Sequence, residues 1–205
     1  MNITRRGAFG VAADADEVLQ HFRASTFLAG AGLGGAAHAI RFGAEGLDFT
    51  EVSMNSYLAS VAADFVRRKL LDQGATLSFE TVMSSPDKVA LLADARSRGY
   101  RTYLYYIATD DPAINVARVR HRVRSGGHPV PPDKIVSRYH RSLDLLADAV
   151  RHASRAYLFD NSGAAPLWVA EATDGGQLQA RVPALPPWFA RAVWRKLGPG
   201  EPGVG

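Results

Sequence analysis

The sequence predicts an α/β fold built on a mainly parallel, three-layer sheet. Three observations lead there. Short apolar, β-prone runs alternate with amphipathic helical stretches along the chain. Helix-start signals follow directly on two of the strand-like runs, at Ser85-Pro86-Asp87 and Asp111-Pro112. Polar clusters stand just after the strands, where open parallel sheets hold their ligands.

The elements follow in order. Residues 9–13 (FGVAA) read as a buried strand, and Asp14-Ala15-Asp16-Glu17 places acids at the start of a helix. Residues 24–50 are Gly/Ala-rich and carry no clear period. From 55 to 71 the apolar residues Leu58, Val61, Phe65, Val66 and Leu70 recur at helical steps, and Asp72-Gln73-Gly74 ends the run. Residues 76–82 (TLSFETV) read as a strand. A helix follows to about Arg98, closed by Gly99. Residues 101–109 (RTYLYYIAT) are strongly β-prone. The next helix is broken at Gly126-Gly127-His128-Pro129, and a long one covers 133–152. A strand at 156–159 ends in Asp160-Asn161-Ser162. Residues 167–182 read as a hairpin around Asp174-Gly175-Gly176. Residues 1–182 are expected to form one domain. Residues 183–205 are expected to be a tail with a short amphipathic helix and a disordered end from residue 198.

Composition excludes several classes of function. The chain of 205 residues has no cysteine, so disulfides, thiolate metal sites and a cysteine nucleophile are ruled out. No histidine spacing matches a zinc site, and no metal site is expected from the residues themselves. The apolar fraction is 47% and no run of about 18 apolar residues occurs. No signal peptide is evident. A cytoplasmic protein without a membrane partner is the expectation. The net charge of +4 is too small to argue for nucleic acid. Gly30, Gly32 and Gly35 spell GxGxxG, but no clear strand precedes them, and the match is read as accidental.

The arginine segment is the most informative. Arg118 and Arg122 share one helix face, with Arg120 and Arg124 beside them; Arg138 and Arg141 begin the next helix across the Gly-Gly break. Like charges at this spacing repel unless an anion lies between them. Guanidinium groups grip phosphate oxygens in a fork. Two arginine-bearing helices about a glycine hinge, residues 118–141, would close over a polyphosphate as a lid. A solvated basic face, or a nucleic-acid patch, explains the same spacing equally well. Glu80-Thr81, at the end of a strand, would hold magnesium through water or orient a substrate hydroxyl; capping of the next loop is the plainer alternative. Asp16 would take a proton from a hydroxyl nucleophile, or merely sit at a helix N-terminus. Asp160-Asn161 would line a nucleotide pocket, or form an ordinary turn.

Taken in order, Ser78-Phe-Glu-Thr-Val-Met-Ser84, Gly99-Tyr100, Arg118-Val, Arg122-Val, Gly126-Gly-His-Pro-Val-Pro131, Arg138-Tyr139, Arg141-Ser142-Leu143 and Asp160-Asn-Ser162 resemble the zeta-toxin family of P-loop kinases, in its chromosomal "predicted ATPase" branch. The resemblance covers about residues 9–176. It implies a P-loop kinase fold and ATP-dependent, magnesium-assisted phosphoryl transfer. The acceptor it implies is a small hydroxyl-bearing molecule, such as a UDP-N-acetyl amino sugar. Asp16 matches the family's candidate general base, and Glu80 and Thr81 match its substrate-binding positions. Arg122 and Arg138 match the catalytic lid arginines that grip the phosphates, with Arg118 as a rival for one of them. An antitoxin protein is an implied partner. One departure is large. No GxxxxGK[ST] occurs among the 205 residues, and only 15 residues precede Asp16. The expectation is a kinase domain without its first strand and P-loop, inactive alone. The alternative is a non-catalytic nucleotide- or nucleotide-sugar-binding module or an antitoxin-binding remnant.

Overall fold

The computed structural model describes residues 15–43, 46–48, 50–53 and 55–198. The expected strand at 9–13 and the end of the tail at 199–205 lie outside the described residues. The chain divides into two compact units, Met1–Glu80 and Thr81–Gly205.

The first unit is mostly helical. It comprises α1 (Ala15–Arg23), α2 (Thr26–Gly30), α3 (Gly34–Ala39), a short hairpin of β1 (Arg41–Gly43) and β2 (Gly46–Asp48), and α4 (Ser56–Asp72). Helix α4 starts where its cap dictates: Asn55 Oδ1 accepts from the amides of Tyr57 at 3.0 Å and Leu58 at 3.1 Å. Phe22, Leu28, Ile40, Leu58 and Phe65 form its core, each contributing about 1.5–3 kcal/mol by leaving water. Lys69 and Glu17 tie α4 to α1 at 2.5 Å. The glycines of the GxGxxG match fall at the ends of α2 and α3, with no described strand leading into them.

The strand expected at 76–82 is not one: residues 75–84 pair with no described strand. β-propensity measures fit to a pleated, half-buried surface, and with no strand among the described residues to take its backbone groups the segment forms no described ladder. A local bond competes instead. The amide of Met83 donates to Thr81 Oγ1 at 3.0 Å, and Met83 adopts a φ of 52°.

The second unit is α/β. It contains α5 (Pro86–Ser97), β3 (Tyr103–Ala108), α6 (Pro112–Arg124), α7 (Pro132–Arg151), β4 (Arg155–Asp160), β5 (Leu167–Thr173), β6 (Gln177–Ala180), α8 (Pro187–Phe189), a π-helical turn (Ala190–Trp194) and α9 (Arg195–Leu197). The sheet order is β3-β4-β5-β6. Strands β3 and β4 are parallel, in register from Tyr103↔Arg155 to Ala108↔Asp160. The pairs β4·β5 and β5·β6 are antiparallel. The α/β class holds, but the described sheet has one parallel pair rather than a mainly parallel set. The reason is connection length: parallel neighbours need a long crossover, which α6 and α7 supply. The six residues between Asp160 and Leu167, and the turn at Asp174-Gly175-Gly176, allow only antiparallel returns.

One face of the sheet is packed. Leu146, Val150, Leu158, Val169, Trp188, Phe189 and Val193 make the core of this unit. Trp188 and Phe189 are fully buried, so the C-terminal segment belongs to the core rather than to the surface. On the other face Tyr103, Tyr105 and Ile107 are exposed, and Tyr105 stacks on Tyr157 at 5.0 Å. The two ends of the βαβ unit are joined below the sheet by Thr102. Its Oγ1 donates to the His152 carbonyl at 2.8 Å and accepts from the Ser154 amide at 2.9 Å.

Candidate phosphate-binding site

The parallel register brings Ala108 and Asp160 side by side, so the two loops beyond them meet at the C-terminal end of the sheet. This is where open α/β sheets place ligands. The Asn161 amide donates to the Ala108 carbonyl at 2.7 Å, extending the ladder by one bond. The Asp110 amide donates to Ser162 Oγ at 2.8 Å, which in turn donates to Asp160 Oδ2 at 3.1 Å. Asp160 is therefore committed to its own turn. Its Oδ1 accepts from the Ser162 amide at 2.8 Å, and its Oδ2 also accepts from Trp188 Nε1 at 2.6 Å. The carboxylate holds the turn.

Two side chains from the helices close the site. Tyr139 of α7 donates its phenol to the carbonyls of Thr109 at 2.8 Å and Asp110 at 3.2 Å. Arg118 of α6 donates to the Asn161 carbonyl at 2.6 Å. Helix α6 is launched in this direction by Asp111, whose Oδ1 accepts from the Ala113 amide at 2.7 Å. Asn115 Nδ2 donates to Thr109 Oγ1 at 2.9 Å and fixes its first turn to the strand end.

Among the described residues, Arg118, Arg120, Arg122, Arg124, Arg138 and Arg141 form no ion pair. No residue of α6 is buried. The helix packs on α7 as one arm of a hairpin, with Val116, Val119, Val123, Val130 and Ile135 lining the groove between the arms. The bend is made by Gly126, with a φ of 89°, and by Gly127. A Cβ on Gly127 would stand 2.8 Å from Arg122 Cγ, so only glycine lets the chain pass that close. Arg122 donates to the His128 carbonyl at 3.4 Å, across the bend. Arg138 is half-buried and makes no hydrogen bond among the described residues.

Burial pushes the Tyr139 phenol above its ordinary range; the positive charge of Arg191 opposes this, while Asp110, Asp111 and Asp160 add to it. Tyr106, beneath, is pushed to about 12 by burial, and its hydroxyl pairs with Ser142 Oγ at 3.0 Å. Both phenols therefore remain hydrogen-bond donors at neutral pH.

Of the sequence-derived candidates, the structure joins Arg118, Asp160 and Asn161 at one strand end and sets Arg122 and Arg138 on the hairpin. Asp16 lies exposed in the first turn of α1, and Glu80 is exposed at the end of the same unit. Thr81 opens the second unit, its hydroxyl occupied by the Met83 amide. Sequence reasoning missed Tyr139, Asp110 and Trp188. The polar run Thr109-Asp110-Asp111 after a β-prone stretch was the available signal for Asp110. Nothing local to Trp188 or Tyr139 announces a partner dozens of residues away.

No group of three or more His, Asp or Glu among the described residues could hold a metal ion. No helix among them is long and apolar enough to cross a membrane. A family model described as Zeta toxin matches residues 51–172, more than half of the chain. A curated "Uncharacterized protein" of Haemophilus influenzae (strain ATCC 51907 / DSM 11121 / KW20 / Rd) is 33% identical over 60 residues. That alignment covers 29% of this chain and 43% of the relative, so the chain spans less than half of the relative's length. No solved structure matches.

Proposed function

The chain belongs to the zeta toxin family, whose fold is that of nucleotide-binding kinases, and from this premise we propose that it serves ATP-dependent phosphoryl transfer to a hydroxyl of a small molecule such as a UDP-N-acetyl amino sugar. The observation that carries the reading is the arginine hairpin. Six arginines on α6 and α7 form no ion pair among the described residues, and one of them, Arg118, is anchored at the end of the parallel strand pair on the Asn161 carbonyl. A polyphosphate supplies the negative charge that this arrangement lacks.

The roles are those that the family resemblance and the chemistry of the residues suggest. Arg122 and Arg138 grip the phosphates as the hairpin closes, and Arg118 and Asn161 hold the nucleotide side. Asp160 keeps the Asn161-Ser162 turn in shape. Asp16 accepts the proton of the acceptor hydroxyl, and Glu80 and Thr81 bind the acceptor. Magnesium, implied together with ATP, would be held through water by Glu80. Bound there, the ion would neutralise phosphate charge. The backbone cradle and lysine of a GxxxxGK[ST] loop are not among the 205 residues. A second reading is a nucleotide- or nucleotide-sugar-binding module, or an antitoxin-binding remnant, without transfer. An antitoxin protein is the macromolecular partner that goes with the second reading.

The test is a pair of assays on the full chain. Calorimetry with magnesium-ATP measures binding, and mass spectrometry of UDP-N-acetylglucosamine after incubation with ATP measures transfer. Binding with transfer supports the kinase; Arg138→Ala then cuts turnover with the fold intact, and Asp16→Asn abolishes transfer while ATP still binds. Binding without transfer supports the module. Neither binding nor transfer refutes both.

A further inference from the structure

The C-terminal segment lies beyond the matched residues 51–172, yet it reaches the candidate site. Trp188 is fully buried, and its Nε1 donates to Asp160 Oδ2 at 2.6 Å in a buried hydrogen bond. Asp160 is only 9% exposed. An ionised carboxylate this far from water needs every donor it can obtain. It has three: the indole N–H, the Ser162 amide and the Ser162 hydroxyl. The last of these aligns Ser162 Oγ to receive the Asp110 amide. One hydrogen bond from the C-terminal segment is thus relayed through Asp160 to both loops at the strand ends. The same segment carries Arg191, whose charge acts on the Tyr139 phenol.

We infer that Trp188 is a positioning residue for the ligand site, holding the Asn161-Ser162 turn and the Asp110 backbone in place through the carboxylate of Asp160. It touches no ligand itself. The ring also has a packing role, 6.1 Å from Tyr106 and 5.7 Å from Phe189. That role must be separated from the indole N–H. The inference rests on the proposed reading of the site as a nucleotide site only for its ligand; the relay itself is independent of it.

The experiment uses the full chain, labelled with nitrogen-15, and the substitution Trp188→Phe, which keeps an aromatic ring and removes the donor. Amide hydrogen exchange at Ser162 and Asp110 is expected to quicken about tenfold or more, the size associated with losing one hydrogen bond to a charged acceptor. Exchange at Ala156 and Leu158 in β4 stays within about twofold of wild type, because that ladder does not depend on the turn. Magnesium-ATP binding is expected to weaken about tenfold in parallel. Unchanged exchange at Ser162 and Asp110 overturns the inference. A uniform rise across β4 also overturns it, since Trp188 would then act through packing alone. If wild-type protein binds no ATP while the two amides respond, the nucleotide reading fails and the relay stands. Should Trp188→Phe fail to fold, Asp160→Asn tests the same relay. Its oxygen can keep the Ser162 amide, but the group replacing Oδ2 is a donor and no longer accepts from Trp188 or the Ser162 hydroxyl, so the Asp110 amide must quicken, and its failure to do so is refuting.

Discussion

Removing the Tyr139 hydroxyl tests how the hairpin is tied to the sheet. In Tyr139→Phe the ring remains, but the carbonyls of Thr109 and Asp110 lose a shared donor at 2.8 Å and 3.2 Å. Thr109 is 3% exposed, so water does not readily replace the phenol there. A buried acceptor left unpaired costs about 1–3 kcal/mol. Tyr139 is only half-buried, which places the expected loss at the low end, about 1–1.5 kcal/mol. The assay is urea denaturation followed by tryptophan fluorescence. All three tryptophans, Trp168, Trp188 and Trp194, lie in the second unit, so the signal reports that unit alone. The midpoint should fall with the slope unchanged. An alkaline arm adds a sign. The folded pKa of Tyr139 is raised above its ordinary value of 10.0, so its contribution is complete below pH 10 and is lost as pH rises through the folded value. Tyr106, raised to about 12, acts in the same direction. Tyr139→Phe should therefore lose less stability than wild type above pH 10, while retaining the Tyr106 part. An unchanged urea midpoint together with an unchanged alkaline slope would show that the phenol ties nothing.

Two further outcomes follow from the geometry. Gly127→Ala puts a methyl group 2.8 Å from Arg122 Cγ and 3.0 Å from the Arg122 carbonyl oxygen; it should destabilise the bend by about 1–3 kcal/mol, seen as faster exchange of the Gly127 amide, and wild-type exchange there would refute the close approach. In the first unit His21 packs edge-on to Phe65 at 5.3 Å, 3.8 Å from Asp64. Burial lowers its pKa below the ordinary 6.5 despite Asp64. The unfolded chain thus binds the proton more readily, and stability present above pH 6.5 falls away as pH drops through and below it. Far-ultraviolet circular dichroism should show that loss, and His21→Gln should flatten it; an equally steep loss in the variant would assign it to other groups.

Much of this architecture is written in short-range chemistry. Asn55 and Asp111 cap their helices with their own side chains, and Pro86, Pro112 and Pro132 stand at first turns. Asp174-Gly175-Gly176 turns the hairpin because all three residues take positive φ. These interactions span a few residues and leave a mark in any window of sequence. The arginine spacing about Gly126-Gly127 was equally visible, as was the family it resembles.

What the sequence by itself determined, then, was the order and kind of most elements, the α/β class and the charged hairpin. Tertiary structure alone decided the rest. Residues 76–82 have the composition of a strand, but a strand exists only with a partner along its backbone, and composition does not name the partner. Tyr139 meets Thr109, Trp188 meets Asp160, and Thr102 meets Ser154 across 30, 28 and 52 residues of chain. Each contact depends on how the crossover helices and the C-terminal segment pack on the sheet, and packing is a property of the whole unit, not of any stretch within it.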